Sequence, residues 1–389
     1  MSTGPVTTAA FQPVHDHPGD PQQPTDGMAL CMSGGGYRAM LFHLGTLWRL
    51  NELRLLAKLN CVSSVSGGSI TNGVLALHWK NLGFDGSGFA LNFDQQVTQP
   101  VRGMASDSID VSSILEGIFG GVSEHVAAHY NKYLYNHAKL QDLPGDGEGP
   151  YFVFNATSLQ TGVLWRFSKP YMGDWKVGLI ENPDVELATA VAASSAFPPL
   201  LSPCVLKLDP NSFDKNIPPA AGITPEFRQQ AVLADGGVYD NLGLETAWKR
   251  YKTVLVSNGG GALGPDPDPK HDWISQVNRV LLTIYNQVVT LRTRDIVALY
   301  KLKVRDGSYW GIASNIDNYQ LANALDCPFD VTTKLAETAT RLTALDNTTQ
   351  EQLIDWGYAI CDAGVRRWVL PDAPAPTQSP YGTFKQHAV

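Results

Sequence analysis

Two stretches near the N-terminus decide the fold: Met28-Ala29-Leu30-Cys31-Met32-Ser33-Gly34-Gly35-Gly36 and Cys61-Val62-Ser63-Ser64-Val65-Ser66-Gly67-Gly68-Ser69. Each is a short apolar run that ends in a turn of small residues, and each turn opens a segment of helical periodicity. After Gly36 the apolar positions include Leu41, Leu44, Trp48 and Leu55 together with Phe42, Leu47 and Leu50, so nearly every side of that helix is apolar and the pattern predicts a buried one. After Ser69 the pattern continues through Val74, Leu75, Leu77 and Trp79. Two strand, turn, helix units in succession predict parallel strands joined by crossover helices.

Further along, Tyr151 to Ala156 and Val163 to Phe167 flank Gln160-Thr161-Gly162, which reads as a hairpin closed by the glycine. Asn182-Pro183 offers an N-cap followed by proline at the first helical position, opening an Ala-rich helix to about Ser195 that Pro198-Pro199 ends. Strand patterns recur at Gln230 to Leu233 and Thr253 to Val256, with an Asp235-Gly236-Gly237 turn and a short helix around Leu244 to Arg250 between them. From Trp273 onward the reading is mostly helical. The expected fold class is therefore α/β, a three-layer sandwich with a mainly parallel central sheet and a mostly helical C-terminal region.

The chain has 389 residues, a net charge of −8, 43% hydrophobic and 17% charged residues. That supplies enough apolar material for a large core and excludes an electrostatic nucleic-acid binder, since neutralising phosphates takes clustered cations. Cys31, Cys61, Cys204, Cys327 and Cys361 form no C-x-x-C pair and are odd in number, so they read as buried thiols in a reducing compartment. No secretory signal and no uninterrupted apolar span is visible, and the expected location is cytoplasmic. Residues 1–26 and 371–389 are rich in proline and polar residues and read as mobile arms.

A glycine run after a strand can bring backbone N–H groups close to a phosphate or aim them at a developing oxyanion. A nucleotide use fits poorly: no Lys-Ser/Thr follows, and about 20 residues on, where a ribose-binding acid would stand, the chain has Arg54 to Lys58. A tight turn that lets the helix pack on the sheet is the plain alternative. Ser64-Val65-Ser66-Gly67-Gly68 matches a nucleophile elbow with Ser64 in place of the usual first glycine. A base for Ser66 has two candidates. One is a triad written Ser66, Asp235, His271, although His271 lies in a Gly/Pro-rich stretch and too few strands precede Ser66 for an α/β-hydrolase. The other is Asp235 acting directly at the carboxyl end of a strand, where partial burial would raise its pKa toward a useful value.

Taken jointly, Ser33-Gly34-Gly35-Gly36-Tyr37-Arg38-Ala39, Ser64-Val65-Ser66-Gly67-Gly68-Ser69 and Asp235-Gly236-Gly237 resemble the patatin-like phospholipases, in particular the branch close to cytosolic phospholipases A. Phe154-Asn155-Ala156-Thr157, Ser195-Ala196-Phe197-Pro198 and Gly237-Val238-Tyr239-Asp240-Asn241-Leu242-Gly243 support the likeness, which covers roughly Met28 to Asn258. It implies a phospholipase domain over 27–370, with a catalytic core to about 260 and a helical extension over about 271–370.

The resemblance implies a Ser66–Asp235 dyad that releases fatty acids from membrane glycerophospholipids through an acyl-enzyme. Gly35 and Gly36 would form the oxyanion hole, and Gly34, Arg38 and Gly67 would contact substrate, Arg38 by orienting a lipid phosphate. Gly68, Gly236 and Gly237 would support the motifs. Ala39 departs from the glycine that often closes the first motif. No cofactor and no metal are implied, His15-Asp16-His17 being set aside as a ligand set.

The implied partner is a phospholipid membrane surface, met peripherally, with room for a regulatory ligand on the region after Trp273. Val111, Ile114, Leu115, Ile118, Phe119 and Val122 form a helical stripe that suits either a helix packed on the core or an interfacial lid. The alternatives to the lipid hydrolase are a Ser-His-Asp carboxylesterase for soluble esters and a non-catalytic lipid-binding regulatory protein.

Overall fold

The four residues Ala29 to Met32 have no solvent exposure, and their side chains alternate between two cores. Leu30 and Met32 point into the larger core, Ala29 and Cys31 into the smaller one. A strand buried on both faces reads as a continuous apolar run, and this is the middle of a parallel sheet with helices above and below. The computed structural model describes residues 24–109, 121–261 and 263–386.

The strands are β1 (Thr25–Met32), β2 (Cys61–Ser64), β3 (Tyr151–Ser158), β4 (Val163–Phe167), β5 (Tyr171–Asp174), β6 (Gly178–Glu181), β7 (Cys204–Lys207), β8 (Gln230–Asp235), β9 (Tyr251–Asn258) and β10 (Asp306–Gly311). They form one sheet in the order β10-β9-β1-β2-β3-β4-β5-β6, with β8 paired to β3 and β7. The β10-β9-β1-β2-β3 portion is parallel, and β4 to β6 extend it as an antiparallel meander. Gly162, at φ +68°, turns the expected hairpin between β3 and β4.

The helices that matter for the site are α1 (Gly36–Glu52), α2 (Gly67–His78), α3 (Gln99–Ala105), α4 (Val122–Tyr130), α5 (Leu187–Ser194), α6 (Gly237–Asp240), α7 (Trp273–Lys301), α8 (Phe329–Ala336) and α9 (Asn347–Trp368). On one face of the sheet, α1 and α2 pack with α9 in the larger core. On the other, Leu242, Leu244, Ala247 and Ile296 of α7 close the smaller one. This is the three-layer α/β arrangement, with a helical C-terminal region.

Several local expectations are corrected. Asn182 follows β6 in a left-handed turn at φ +46°, so Asn182-Pro183 does not cap the Ala-rich helix, which starts at Leu187 behind Glu186. Residues 244–250 form turns and not a helix. The region after Trp273 contains β10, which lengthens the parallel sheet beyond β9. The segment from Pro371, read as a mobile tail, is docked: Ser379 and Phe384 are buried, and the Asp355 carboxylate accepts from the hydroxyls of Ser379 and Thr383 and the amides of Tyr381 and Thr383. Thr25 and Asp26, placed in the N-terminal arm, begin β1. The five cysteines are free and buried. His15, Asp16 and His17 and the stripe residues before Val122 lie outside the described residues.

Candidate active site

The site is built where three turns meet. The turn after β1 carries the glycine loop, the turn after β2 carries Ser66, and the end of β8 carries Asp235. The expectation that Asp235 leaves the carboxyl edge of the sheet holds in an unexpected way, because β8 runs antiparallel to β3. β2 pairs with the first half of β3, ending with Ser64 opposite Phe154, whereas β8 pairs with the second half of the same strand, ending with Asp235 opposite Ala156. The two strands approach each other head-on, and their carboxyl ends face across Asn155. A Cβ on Gly236 would lie 2.3 Å from the Asn155 carbonyl oxygen, so the closeness of this junction requires glycine.

Ser66 sits between β2 and α2 at φ 51°, ψ −121°, a conformation that side chains with a Cβ adopt only where the surroundings enforce it. Its backbone N–H donates to the Ser194 hydroxyl at 3.0 Å, and that hydroxyl donates to the Asn155 carbonyl at 2.7 Å. Ser69 bridges Ser194 and Ser64, and Asn72 Nδ2 donates to Ser64 Oγ at 2.8 Å. Ser64, the departure from the usual glycine, thus belongs to the network that holds the elbow, and it also donates to the Val153 carbonyl. A Cβ on Gly67 would lie 2.1 Å from the carbonyl oxygen of Gly36, so the elbow presses directly on the glycine loop.

Asp235 is 2% exposed. One carboxylate oxygen accepts the Gly237 N–H at 2.7 Å, and the Ser66 side chain is near enough to favour the ionised carboxylate. Burial pushes its pKa up to about 7, against the opposing pull of the Gly237 N–H and the Ser66 side chain. A carboxylate in this range is a competent base at neutral pH.

The glycine loop is fixed from below and from the side. Ser33 Oγ accepts the N–H groups of Gly259 (2.8 Å) and Gly260 (3.1 Å), and Gly34 N donates to Asn241 Oδ1 at 3.1 Å. Gly35 (φ +146°) and Gly36 (φ +62°) then turn the chain into α1. Their N–H groups precede the first hydrogen bond of the helix, Ala39 N to Gly35 O, and have no backbone partner among the described residues. The positive end of α1 adds to their attraction for negative charge.

Arg38 is buried. Its Nε donates to the Gly259 carbonyl at 3.1 Å and its Nη1 to the carbonyls of Ala336 and Thr338, whereas Nη2 has no hydrogen-bond partner among the described residues. Burial lowers its pKa to about 10, which leaves it charged. Gly35, Arg38, Ser66 and Asp235 line one cavity of about 520 Å³, roofed by Leu282 and Tyr285 of α7 and by residues 336–340. No histidine among the described residues lines it, and His271 is exposed before α7.

The residues that sequence reasoning missed are the supports: His43, Asn241, Ser194, Tyr285 and the 336–341 segment, whose Arg341 carbonyl accepts the Tyr37 N–H at 3.0 Å. Asn241 stands in a segment quoted for the family likeness, but nothing local links it to Gly34.

The model of the patatin-like phospholipase family matches residues 30–248, which include all three turns of this site. The chain belongs to the patatin-like phospholipase family. No curated protein matches it in sequence. Among solved structures, human GIVD cytosolic phospholipase A2 in complex with methyl gamma-linolenyl fluorophosphonate and terbium chloride aligns at a TM-score of 0.51 and 14% identity, over 92% of this chain and 61% of that one. Another structure of the same human protein gives 0.48 and 13%, over 93% and 64%. VipD from Legionella pneumophila gives 0.31 and 15%, over 86% and 74%. This patatin-like chain thus shares its α/β fold with human GIVD cytosolic phospholipase A2 and spans less than two thirds of that protein's length.

Proposed function

We propose that this patatin-like protein is a lipid acyl hydrolase that releases fatty acids from membrane glycerophospholipids with a Ser66–Asp235 dyad. The observation that carries the reading is that Ser66 and a buried Asp235 carboxyl at the end of β8 line one cavity, with Gly35 of the glycine loop in the same lining. Asp235 takes the Ser66 proton as Oγ attacks the ester carbonyl, and the oxyanion is held by the Gly35 and Gly36 N–H groups. Collapse transfers the proton to the leaving alcohol and leaves an acyl group on Ser66. Asp235 then draws a proton from water, which attacks the acyl-enzyme and frees the fatty acid.

Arg38 contributes through Nη2, the donor its backbone partners leave unused, which suits a phosphate oxygen of the head group. Gly34 and Gly67 let substrate and backbone approach closely, and Gly68, Gly236 and Gly237 hold the turns. The Ser66, Asp235, His271 alternative fares worse, because His271 is exposed outside the cavity lining. His271→Ala is therefore expected to keep full activity.

The test is covalent labelling with an alkyl fluorophosphonate followed by peptide mass spectrometry. The wild type should carry one adduct on Ser66 and Ser66→Ala none. An adduct elsewhere, or none on a folded wild type, would defeat the reading.

A further inference from the structure

α7 has two different faces over one length. Its inward face contributes Asn278, Leu282, Tyr285 and Asn286 to the cavity that holds Ser66 and Asp235. Its C-terminal half is anchored: Ile296 is buried, Arg292 pairs with Glu245 at 2.8 Å, and the Tyr300 hydroxyl donates to the Val254 carbonyl at 2.7 Å. The outward face of the other half is apolar and uncovered. Trp273 is 79% exposed and Ile274 72%, and Val277, Val280 and Ile284 continue the exposed row at steps of three and four residues. Such spacing places them on one stripe of the helix.

Charge distinguishes the occupants this stripe would suit. From Trp273 to Arg294 the helix carries Arg279, Arg292 and Arg294 and no carboxylate, in a chain whose net charge is −8. Arg292 is turned inward to Glu245, Arg279 donates to the carbonyl of Gly264 in the cavity lining at 2.9 Å, and Arg294 is exposed next to the apolar row. A second copy joined through the same face would bring no carboxylate to them between Asp272 and Asp295. A bilayer with anionic lipids offers acyl chains to the row and phosphates to the arginines. Trp273 at the end of the row is the residue type that settles at the boundary between head groups and chains.

We infer that the outward face of α7, the helix whose inward face lines the Ser66 cavity, is the surface with which this protein docks on an anionic lipid bilayer. The inference rests on the acyl-hydrolase reading above, and its test is independent of turnover.

Full-length Ser66→Ala protein, which leaves vesicles chemically intact, is floated with phosphatidylcholine vesicles with and without phosphatidylglycerol. It should bind, and more tightly with phosphatidylglycerol. Adding Ile274→Gln, Val277→Gln, Val280→Gln and Ile284→Gln should weaken binding by about tenfold or more while the melting temperature is kept, since these side chains are exposed. Arg279→Gln with Arg294→Gln should remove the preference for phosphatidylglycerol and leave weak binding to phosphatidylcholine.

Absence of flotation, or equal flotation of the four-residue variant, would overturn the inference. So would sedimentation showing that the four-residue variant converts a dimer into a monomer without any vesicle binding. Flotation that behaves as stated, with no Ser66-dependent ester hydrolysis by the wild type, would remove the catalytic reading and leave the docking face standing.

Discussion

His43 Nε2 lies 2.9 Å from the carbonyl oxygen of Ser33, the residue that opens the glycine loop. A carbonyl only accepts, so Nε2 carries the proton and Nδ1 accepts from the Ser257 hydroxyl at 2.9 Å. Ser257 in turn meets Thr46 Oγ1, which accepts from Trp310 Nε1. A directed chain of buried hydrogen bonds therefore runs from β10 to the loop proposed to hold the oxyanion.

His43→Ala would leave Ser33 and Ser257 without this partner in a dry site. The expected result is a loss of about 2 kcal/mol or more in stability, with kcat falling by about tenfold or more while KM changes little. His43→Gln, which offers one donor and one acceptor, should recover part of both. Thermal melts and steady-state kinetics on the three proteins test this, and an unchanged kcat in His43→Ala would refute it.

Burial lowers the His43 pKa from 6.5 to about 4. The folded state therefore disfavours its protonation: the contribution to stability is present above pH 6.5 and is lost as pH falls through 4. His43→Gln should flatten the loss of stability between those limits.

Activity should follow the ionisation of Asp235. Only the carboxylate accepts the Ser66 proton, so kcat/KM should rise with pH through a single ionisation centred near pH 7. Asp235→Asn should lower the rate by about a thousandfold or more. A flat profile between pH 5 and about 8 would contradict the assignment.

The same shift predicts a stability gain in the inactive variant. A carboxyl raised from 3.8 to about 7 favours the folded state fully below pH 3.8, and that contribution is lost as pH rises through 7. Ionised Asp235 then costs folding on the order of 3–5 kcal/mol, and Asp235→Asn should melt at a higher temperature than wild type at pH 8. Equal melting temperatures there would argue against so high a pKa.

The helical extension is expected to be inseparable from the catalytic core. α1 and α9 cross at two glycines: a Cβ on Gly45 would lie 1.8 Å from the Ile354 carbonyl oxygen, and one on Gly357 1.9 Å from that of Phe42. Gly45→Ala or Gly357→Ala should each cost about 2–4 kcal/mol in stability. Chemical denaturation measures this, and a cost below about 1 kcal/mol would mean that the helices are free to separate.

Ser64→Gly restores the glycine usual at the elbow and removes the hydroxyl that meets Val153, Ser69 and Asn72. It should destabilise the protein by about 1 kcal/mol and leave the rate within about threefold. A loss as large as that of Ser66→Ala would give Ser64 a direct part in the chemistry.

What the sequence made legible was local. β1 and β2 with their helices, the Gly162 hairpin and the three motif turns are each written in one continuous stretch of sequence. The residues alone leave Asp235 in two arrangements with Ser66, and the family likeness points to the direct one; the juxtaposition itself depends on β2 and β8 sharing one edge of β3, a pairing with no local signature. Asn182-Pro183 misled for a related reason, since the residues that cap a helix also make the left-handed turn found there. Asp355 has no neighbour in sequence that marks it, and its hold on Ser379 and Thr383 is visible only once the tail has folded back. His43 lies inside an apolar helix, where neither Ser33 nor Ser257 is close enough in sequence to mark it.

The central claim is that Ser66 and Asp235 together hydrolyse membrane phospholipid esters, and fatty-acid release from mixed phospholipid vesicles tests it most directly. Wild type, Ser66→Ala and Asp235→Asn are compared, with circular dichroism confirming that all three are folded. The account predicts release by the wild type alone. Release by either folded variant at the wild-type rate would contradict the dyad, and no release by any of the three would contradict lipid hydrolysis itself.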